Sequence, residues 1–173
     1  MTKTTLLDGL CFMQPYRLLR QTPRVTFYEL DNLIESLQGI DLVIHEPEAR
    51  SPTIAGRDEW FWYMHPHQTD QLVVHQGRRI VELYTPAHGR VERFEVRSGE
   101  IWHEGRRLNE ASALLGWPPG TFHRVHSPQG SVSTNYARRE PGFDIRTNFN
   151  IYRVDTRTGD YEVVRLGAED QPE

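Results

Sequence analysis

The feature that most constrains this sequence is a long series of short strand-like segments separated by turn-like ones. From residue 41 onward, roughly eleven runs rich in valine, isoleucine and aromatic residues follow one another, among them DLVIHE, QLVVHQ, RIVELY and RVERFEV. Pieces such as HQGR, RSG, WPPG and SPQG lie between them, and their glycines and prolines favour turns. Near-regular spacing of this kind is typical of antiparallel sandwiches and barrels, so the sequence predicts an all-β fold.

One segment near the N-terminus has a helical pattern instead. FYELDNLIESLQG, residues 27–39, spaces its apolar side chains as one face of a helix does, and Gly39 follows as a stop signal. The side chains of that face belong to Leu30, Leu33, Ile34 and Leu37. We therefore expect a short N-terminal helix near residues 29–38. The tail LGAEDQPE has no such pattern and is expected to lack fixed structure.

The run WFWY, residues 60–63, is apolar on both faces of a strand. A strand of this kind is covered twice, either by the core or by a partner subunit. Because exposed apolar patches usually mark contact surfaces, the run favours a homodimer.

Composition narrows the function classes. The chain has 173 residues, a length that suits one domain, and 37% hydrophobic with 25% charged residues is typical of a globular protein. The net charge of −4 gives no reason to expect nucleic acid as a partner. Cys11 is the single cysteine, so no internal disulfide forms. The sequence shows no long apolar run, so we expect neither a membrane span nor a signal peptide, and the expected location is the cytoplasm.

Histidines at two places in the chain predict a metal site. Side chains in a strand alternate between faces, so His65 and His67 point the same way. Unbroken alternation puts Gln71 on that face and directs Asp70 away from it. A tight turn at WPPG precedes His123, which a neighbouring strand can bring to the same place. Imidazole is the commonest metal ligand in proteins, and three histidines leave coordination positions open for a substrate.

These segments resemble the two motifs of the cupin superfamily. HPHQTDQLVVHQG is similar to the first motif, His-x-His followed by a carboxylate and a glycine, and PPGTFH is similar to the second, Pro-x-Gly-x-x-His. The family's acidic ligand position holds Gln71, whereas Asp70 has the spacing to Gly77 that the family pattern requires, so the fourth ligand stays open between them. Glu59 and Ser127 replace a glycine and an asparagine of the family pattern.

The resemblance implies a single domain over residues 1–173 with the antiparallel jelly-roll fold of RmlC-like cupins, also called a double-stranded β-helix barrel. Within it we expect an extension with a short helix and strands at 1–57, the core motifs at 58–137, strands at 138–166 and a tail at 167–173.

The resemblance also implies a divalent transition metal, one of iron, nickel, zinc, manganese or copper, held by His65, His67, Gln71 and His123. A metal with neutral ligands keeps its positive charge and favours a small anionic organic substrate, so the first hypothesis is a dioxygenase-like oxidoreductase. No catalytic side chain is assigned to it. A second hypothesis is a metal-independent isomerase or epimerase of sugars or nucleotide sugars, in which His67 and Asp70 form an acid/base pair. A third is a non-catalytic sensor that binds a small molecule.

Overall fold

The computed structural model describes residues 3–30, 37–110 and 112–170. Two antiparallel sheets and one separate hairpin make up most of this part of the chain, with strands numbered in chain order. The first sheet contains, side by side, β1 (Thr4–Leu7), β2 (Cys11–Pro15), β12 (Ala113–Trp117), the first half of β8 (Gln68–Tyr84), β14 (Ser131–Arg139) and β5 (Gly39–His45).

The second sheet begins with β11 (Arg106–Arg107), β10 (Glu100–His103), β9 (Glu92–Arg97), the second half of β8 and β13 (Phe122–Ser127). It continues with β6 (Ala49–Ser51) and β7 (Trp62–Met64), both along β13, then β15 (Ile151–Val154) and β16 (Tyr161–Arg165). The hairpin joins β3 (Arg17–Thr22) and β4 (Val25–Glu29). The predicted all-β, antiparallel jelly-roll class is therefore confirmed.

Strand β8 belongs to both sheets. Its residues up to Gly77 pair with β12 and β14, and its residues from Arg78 pair with β9 and β13. The sequence predicts a turn at HQGR, but the strand continues through it with an irregular register at His75. Gly77 makes the crossing sterically allowed, because its φ is +76° and a Cβ there would lie 2.2 Å from the Gly130 carbonyl oxygen.

Helical structure is sparse in the described part of the chain. The predicted helix near 29–38 falls mostly on residues 31–36, which lie outside the described residues. A single turn, α1 (Ile145–Asn148), begins at Asp144, whose carboxylate accepts a hydrogen bond from the Arg146 amide. The segment RTNFNIYRVD, residues 146–155, therefore starts with a helical turn and forms a strand only over Ile151–Val154. The prediction that the tail lacks fixed structure is wrong for Gly167–Asp170, which form a 3-10 turn. Residues 171–173 lie outside the described residues.

Inward-facing side chains of the two sheets form the main core. Thirteen buried residues pack into one cluster, to which β8, β9 and β12 contribute Leu72, Val81, Phe94, Val96 and Leu115. Strand β5 shows why the two faces differ: its inward positions are half-buried and its outward ones exposed, in strict alternation. No helix among the described residues is long and apolar enough to span a membrane. The division at residues 57, 137 and 166 stays a prediction.

The run WFWY does not offer an apolar surface to a partner. Phe61 and Trp62 are only 1% and 3% exposed, and Trp62 packs with Tyr84, Phe122 and Tyr152 inside the subunit. An exposed apolar stripe lies instead on the outer face of β5, an edge strand among the described residues. It consists of Ile40, Leu42 and Ile44, which are 64%, 67% and 65% exposed.

We expect a homodimer that covers this stripe, and therefore expect Leu42→Glu to dissociate it, because a carboxylate cannot be buried unpaired at an apolar contact. Light scattering should give twice the chain mass of 20.2 kDa for the parent and the single mass for the variant. Leu166→Glu, at a residue 54% exposed elsewhere, serves as the control and should stay dimeric. A parent with the single mass at micromolar concentration would contradict the expectation.

Candidate active site

A cavity of about 370 Å³ lies between the two sheets. Both sheets contribute to its walls, because β5, β8 and β14 line one side and β7 and β13 line the other. Its polar side chains gather at two ends, one around His65, Asp70 and His123 and one around Arg79 and His45. The rest of the lining includes the apolar side chains of Val43, Leu72 and Val125 and the carboxylate of Asp41.

Two histidines and an aspartate meet at the first end. The Nε2 atoms of His65 and His123 lie 3.3 and 3.7 Å from the same oxygen of Asp70, Oδ2, and the two imidazole ring centres are 4.8 Å apart. All three side chains are buried, and their ligand-type atoms lie within 4.8 Å of one another. They form a compact acid/base cluster that faces the cavity.

The structure places Asp70, rather than Gln71, beside the histidines. Strand β8 begins at Gln68, after a turn at residues 66–67, and its inward positions are Gln68, Asp70 and Leu72. Because this turn separates His65 from β8, the alternation of side chains between two faces does not continue from His65 into β8. Gln71 points to the other side, where its Nε2 donates a hydrogen bond to the Tyr136 carbonyl oxygen at 3.2 Å.

His67 also lies outside the cavity. It sits in the turn, its carbonyl oxygen accepts a hydrogen bond from the Glu140 amide at 2.8 Å, and its ring packs against Gly142. Of the four predicted ligands, the structure thus brings together His65 and His123 and leaves His67 and Gln71 elsewhere. Among the described residues, the other group of neighbouring ligand-type side chains is Glu92, His103 and Glu104, on β9 and β10 and the turn after them.

Asp70 is held as a charged acceptor. Its Oδ1 accepts hydrogen bonds from Gln68 Nε2 and Asn135 Nδ2, both at 2.8 Å, while Oδ2 faces the imidazoles. Burial alone raises the pKa of a carboxyl group, but His65, His123 and the Gln68 amide outweigh it and lower the pKa of Asp70. The carboxylate is therefore ionised at neutral pH.

The two histidines differ in protonation. Burial opposes a charge on His65, but the Asp70 carboxylate and the Asn148 carbonyl oxygen, 2.5 Å from Nδ1, raise its pKa. Burial and the nearby charge of His65 lower the pKa of His123 to about 4. At neutral pH the cluster therefore holds a His65 imidazolium, an Asp70 carboxylate and a neutral His123.

Aromatic side chains surround the cluster. Tyr63 stacks on His65 with ring centres 6.2 Å apart and lies 6.0 Å from His123, and Trp117 lies 5.2 Å from His123. Burial raises the pKa of the Tyr63 hydroxyl, so it stays protonated at neutral pH. Sequence reasoning missed Tyr63 as a site residue, although it precedes His65 by two positions and so shares its face.

We expect the free energy of unfolding to fall as the pH is lowered from about 6.5 to about 4. Burial is the main cause that lowers the pKa of both His45 and His123 to about 4. A histidine in the unfolded chain has a pKa of about 6.5. Over this pH window the unfolded state therefore binds more protons than the folded state, and acid favours unfolding. His65 and Asp70 do not change the free energy of unfolding within this window. The stability that comes from the raised pKa of His65 is lost only as the pH rises above about 6.5, and the stability that comes from the lowered pKa of Asp70 is lost only below about pH 4.

Urea unfolding at pH 7 and pH 5 measures this pH dependence. The parent should be less stable at pH 5, and the double variant His45→Gln, His123→Gln should lose less stability between the two pH values. Equal losses in parent and variant would contradict the assignment of these two histidines.

No protein-family model matches the chain, and no curated protein matches its sequence. Solved structures do match. The RmlC epimerase of Mycobacterium tuberculosis has a TM-score of 0.56 at 11% identity, over 81% of this chain and 68% of that one. The sugar 3,4-ketoisomerase QdtA of Thermoanaerobacterium thermosaccharolyticum, in complex with TDP, has a TM-score of 0.55 at 10% identity, over 80% and 85%. A dTDP sugar isomerase of Desulfovibrio desulfuricans has 0.54 at 15%, over 94% and 87%.

These comparisons correct the first functional hypothesis. The similar structures are named epimerases and isomerases, not oxidoreductases. The predicted ligand set also fails to converge, because His67 and Gln71 lie outside the cavity. The prediction of a dioxygenase that uses a divalent transition metal is therefore wrong.

The shared architecture settles the fold. The chain aligns over about four fifths of its length or more with each of these three proteins. The identities are low, so the likeness is one of fold. The chain has the cupin fold in its RmlC-like form.

Proposed function

We propose that this protein is a metal-independent isomerase or epimerase that moves a proton at a carbon atom next to a carbonyl group of a sugar-like molecule. The observation that carries the proposal is the buried cluster of His65, Asp70 and His123 facing the cavity. The second functional hypothesis is thereby retained, with His65 in place of His67 as the partner of Asp70.

His123 is the group that takes the proton. Its Nδ1 lies 3.2 Å from the Thr121 carbonyl oxygen, to which it donates, and this leaves the lone pair of Nε2 directed toward the cluster and the cavity. A neutral imidazole with a free lone pair is a competent general base. Its lowered pKa makes it a weak base before the substrate binds, and negative charge that develops on the substrate would raise that pKa during the reaction.

His65 stabilises the charge that this step creates. When the C–H bond breaks, its electron pair forms the enolate double bond and negative charge moves to the carbonyl oxygen. A positive imidazolium fixed by Asp70 and Asn148 stabilises such an oxygen without having to reorient. Both ring nitrogens of His65 already face Asp70 and Asn148, so its contribution is its positive charge. The protonated hydroxyl of Tyr63, a residue that lines the same cavity, supplies the hydrogen-bond donor.

Return of the proton completes the reaction. Delivery to the opposite face of the same carbon inverts its configuration, as in an epimerase. Delivery to the adjacent carbon moves the carbonyl group, as in a ketoisomerase. Both outcomes need only proton transfers, so the reaction balances without an oxidant or a reductant.

The cavity suits a sugar ring with hydroxyl groups. A volume of about 370 Å³ is near the lower end of small-molecule pockets, which span about 300–1,000 Å³. The indole ring of Trp117 is part of its wall and offers an apolar face to a sugar ring. TDP-linked sugars are supported as candidates because the similar structures include a 3,4-ketoisomerase in complex with TDP and an epimerase in complex with dTDP-quinovose.

Isotope exchange tests the proposal. The protein is incubated in D₂O with TDP-4-keto-6-deoxyglucose and with a panel of free and phosphorylated keto-sugars, each with and without a chelator. Proton NMR should show deuterium at a carbon next to the carbonyl group for at least one compound, equally with and without the chelator. Loss of deuterium exchange when the chelator is present, or absence of exchange with every compound, would contradict the proposal. Binding without exchange would support the sensor hypothesis instead.

A further inference from the structure

A buried arginine occupies the second polar end of the cavity. Arg79 is 5% exposed and lines the cavity. Its Nε donates to the Ser131 hydroxyl at 2.9 Å and its Nη2 donates to the Val43 carbonyl oxygen at 3.3 Å. These contacts orient the guanidinium group but use only part of its five N–H donors.

Arg79 has no acidic partner in the part of the chain that the structure describes: no carboxylate oxygen there lies within 4.0 Å of its nitrogen atoms. The adjacent Arg78 is different, since its Nη1 lies 3.3 Å from a Glu95 carboxylate oxygen outside the cavity. Burial lowers the pKa of Arg79 only to about 10, so the guanidinium is charged at neutral pH. A buried charge without a counter-ion is costly, and proteins normally pair it.

The groups around Arg79 are neutral and polar. His45 Nδ1 lies 2.9 Å from the Ser127 hydroxyl, which lies 2.9 Å from the Ser131 hydroxyl that Arg79 contacts. Burial and the charge of Arg79 keep the pKa of His45 at about 4, so His45 adds no charge at neutral pH. This end of the cavity is therefore positive and rich in donors, which is the chemistry that binds an oxyanion.

We propose that Arg79 binds an oxyanion of the substrate, a phosphate or carboxylate group, inside the cavity. The planar fork of a guanidinium group matches both groups in a bidentate geometry. The proposal rests on the proposed function and adds a substrate class to it: an anionic keto compound whose charged group is enclosed with the reacting carbon.

The strand register separates the two ends of the cavity. Ser133 pairs with Val74 on one side and with Val43 on the other, so Val43 lies level with Val74. The guanidinium group contacts the Val43 carbonyl oxygen, and four strand residues, about 13 Å of backbone, separate Asp70 from Val74. The oxyanion is therefore expected on a different part of the substrate from the reacting carbon.

Calorimetric titration of the full chain tests the subsite. The probes are inorganic phosphate, acetate and TDP, and the proteins are the parent, Arg79→Met, Arg79→Lys and the matched control Arg78→Met. The parent and the control should bind phosphate or acetate equally, Arg79→Met at least tenfold more weakly, and Arg79→Lys in between. A tenfold loss for TDP in Arg79→Met identifies a nucleoside diphosphate as the source of the oxyanion, whereas unchanged TDP binding identifies a separate phosphate or carboxylate.

The inference is overturned if the parent binds none of the three probes at millimolar concentration, or if Arg79→Met binds them all as tightly as the parent. Thermal unfolding checks that Arg79→Met is folded. If it is not, Arg79→Lys keeps the charge and must still bind more weakly than the parent, because it loses the bidentate fork. The same titrations on His123→Gln separate this inference from the proposed function. That variant should lose isotope exchange and keep anion binding. The proposed function and the anion-binding inference can therefore fail independently of each other.

Discussion

Replacing His123 with glutamine is expected to slow deuterium exchange into the substrate by roughly 10²- to 10⁴-fold, the usual contribution of a general base. Glutamine fills a similar volume and keeps a polar group near the Thr121 carbonyl oxygen, but it has no basic nitrogen. The fold should survive, because His123 is neutral at neutral pH and no charge is removed. The exchange rate from NMR at pH 7 measures the effect.

His126→Gln is the matched control for this variant. His126 lies in the same strand, β13, but outside the cavity, where its Nε2 is 3.2 Å from a Glu48 carboxylate oxygen. We expect it to leave exchange within about twofold of the parent, since surface substitutions rarely affect a site they do not touch. Equal losses in the two variants, or a His123→Gln protein with normal exchange, would place the base elsewhere.

Asp70→Asn is expected to destabilise the fold by about 3–5 kcal/mol at pH 7, the usual cost when one partner of a buried ion pair is removed. The amide keeps the shape of the side chain but leaves the His65 imidazolium without its counter-ion at 3.3 Å. His65 must then lose its proton on folding or remain buried with an unpaired charge. The midpoint of urea unfolding measures the effect.

A double variant makes this expectation specific. Adding His65→Gln to Asp70→Asn removes the charge that the single variant leaves unpaired, so part of the lost stability should return. A single Asp70→Asn variant that loses less than about 1 kcal/mol, the range of a surface pair, would show that the two side chains are not an ion pair in the folded protein.

The strands and their order in the chain could largely be predicted, because each strand carries its own local pattern. Strand β5 alternates strictly, and β9 and β13 begin where apolar runs follow turn residues. The continuity of β8 could not be predicted. Gly77 has the same positive φ in a bulge as it would have in a turn, so the residue type does not separate the two cases.

The site was predicted only in part for a related reason. Strand alternation holds within a strand, and the count from His65 to Gln71 runs through a turn at 66–67 that resets it. Within β8 itself the rule works, since Gln68, Asp70 and Leu72 all face the cavity. Arg79 could not be identified from its neighbours, because Arg78 and Arg79 look alike until the sheet assigns them opposite faces.

The passage of β8 through both sheets has a consequence for motion and for selectivity. Asp70 and Arg79 stand on one continuous strand, so the spacing between them can change only if β8 bends differently at His75 and Gly77, which lie between them. If Arg79 binds an oxyanion as proposed, compounds whose oxyanion lies nearer to the reacting carbon, or further from it, should bind less tightly. For the same reason neither sheet can open alone without breaking this strand's hydrogen bonds, so the central β8 amides should exchange with solvent only through global unfolding.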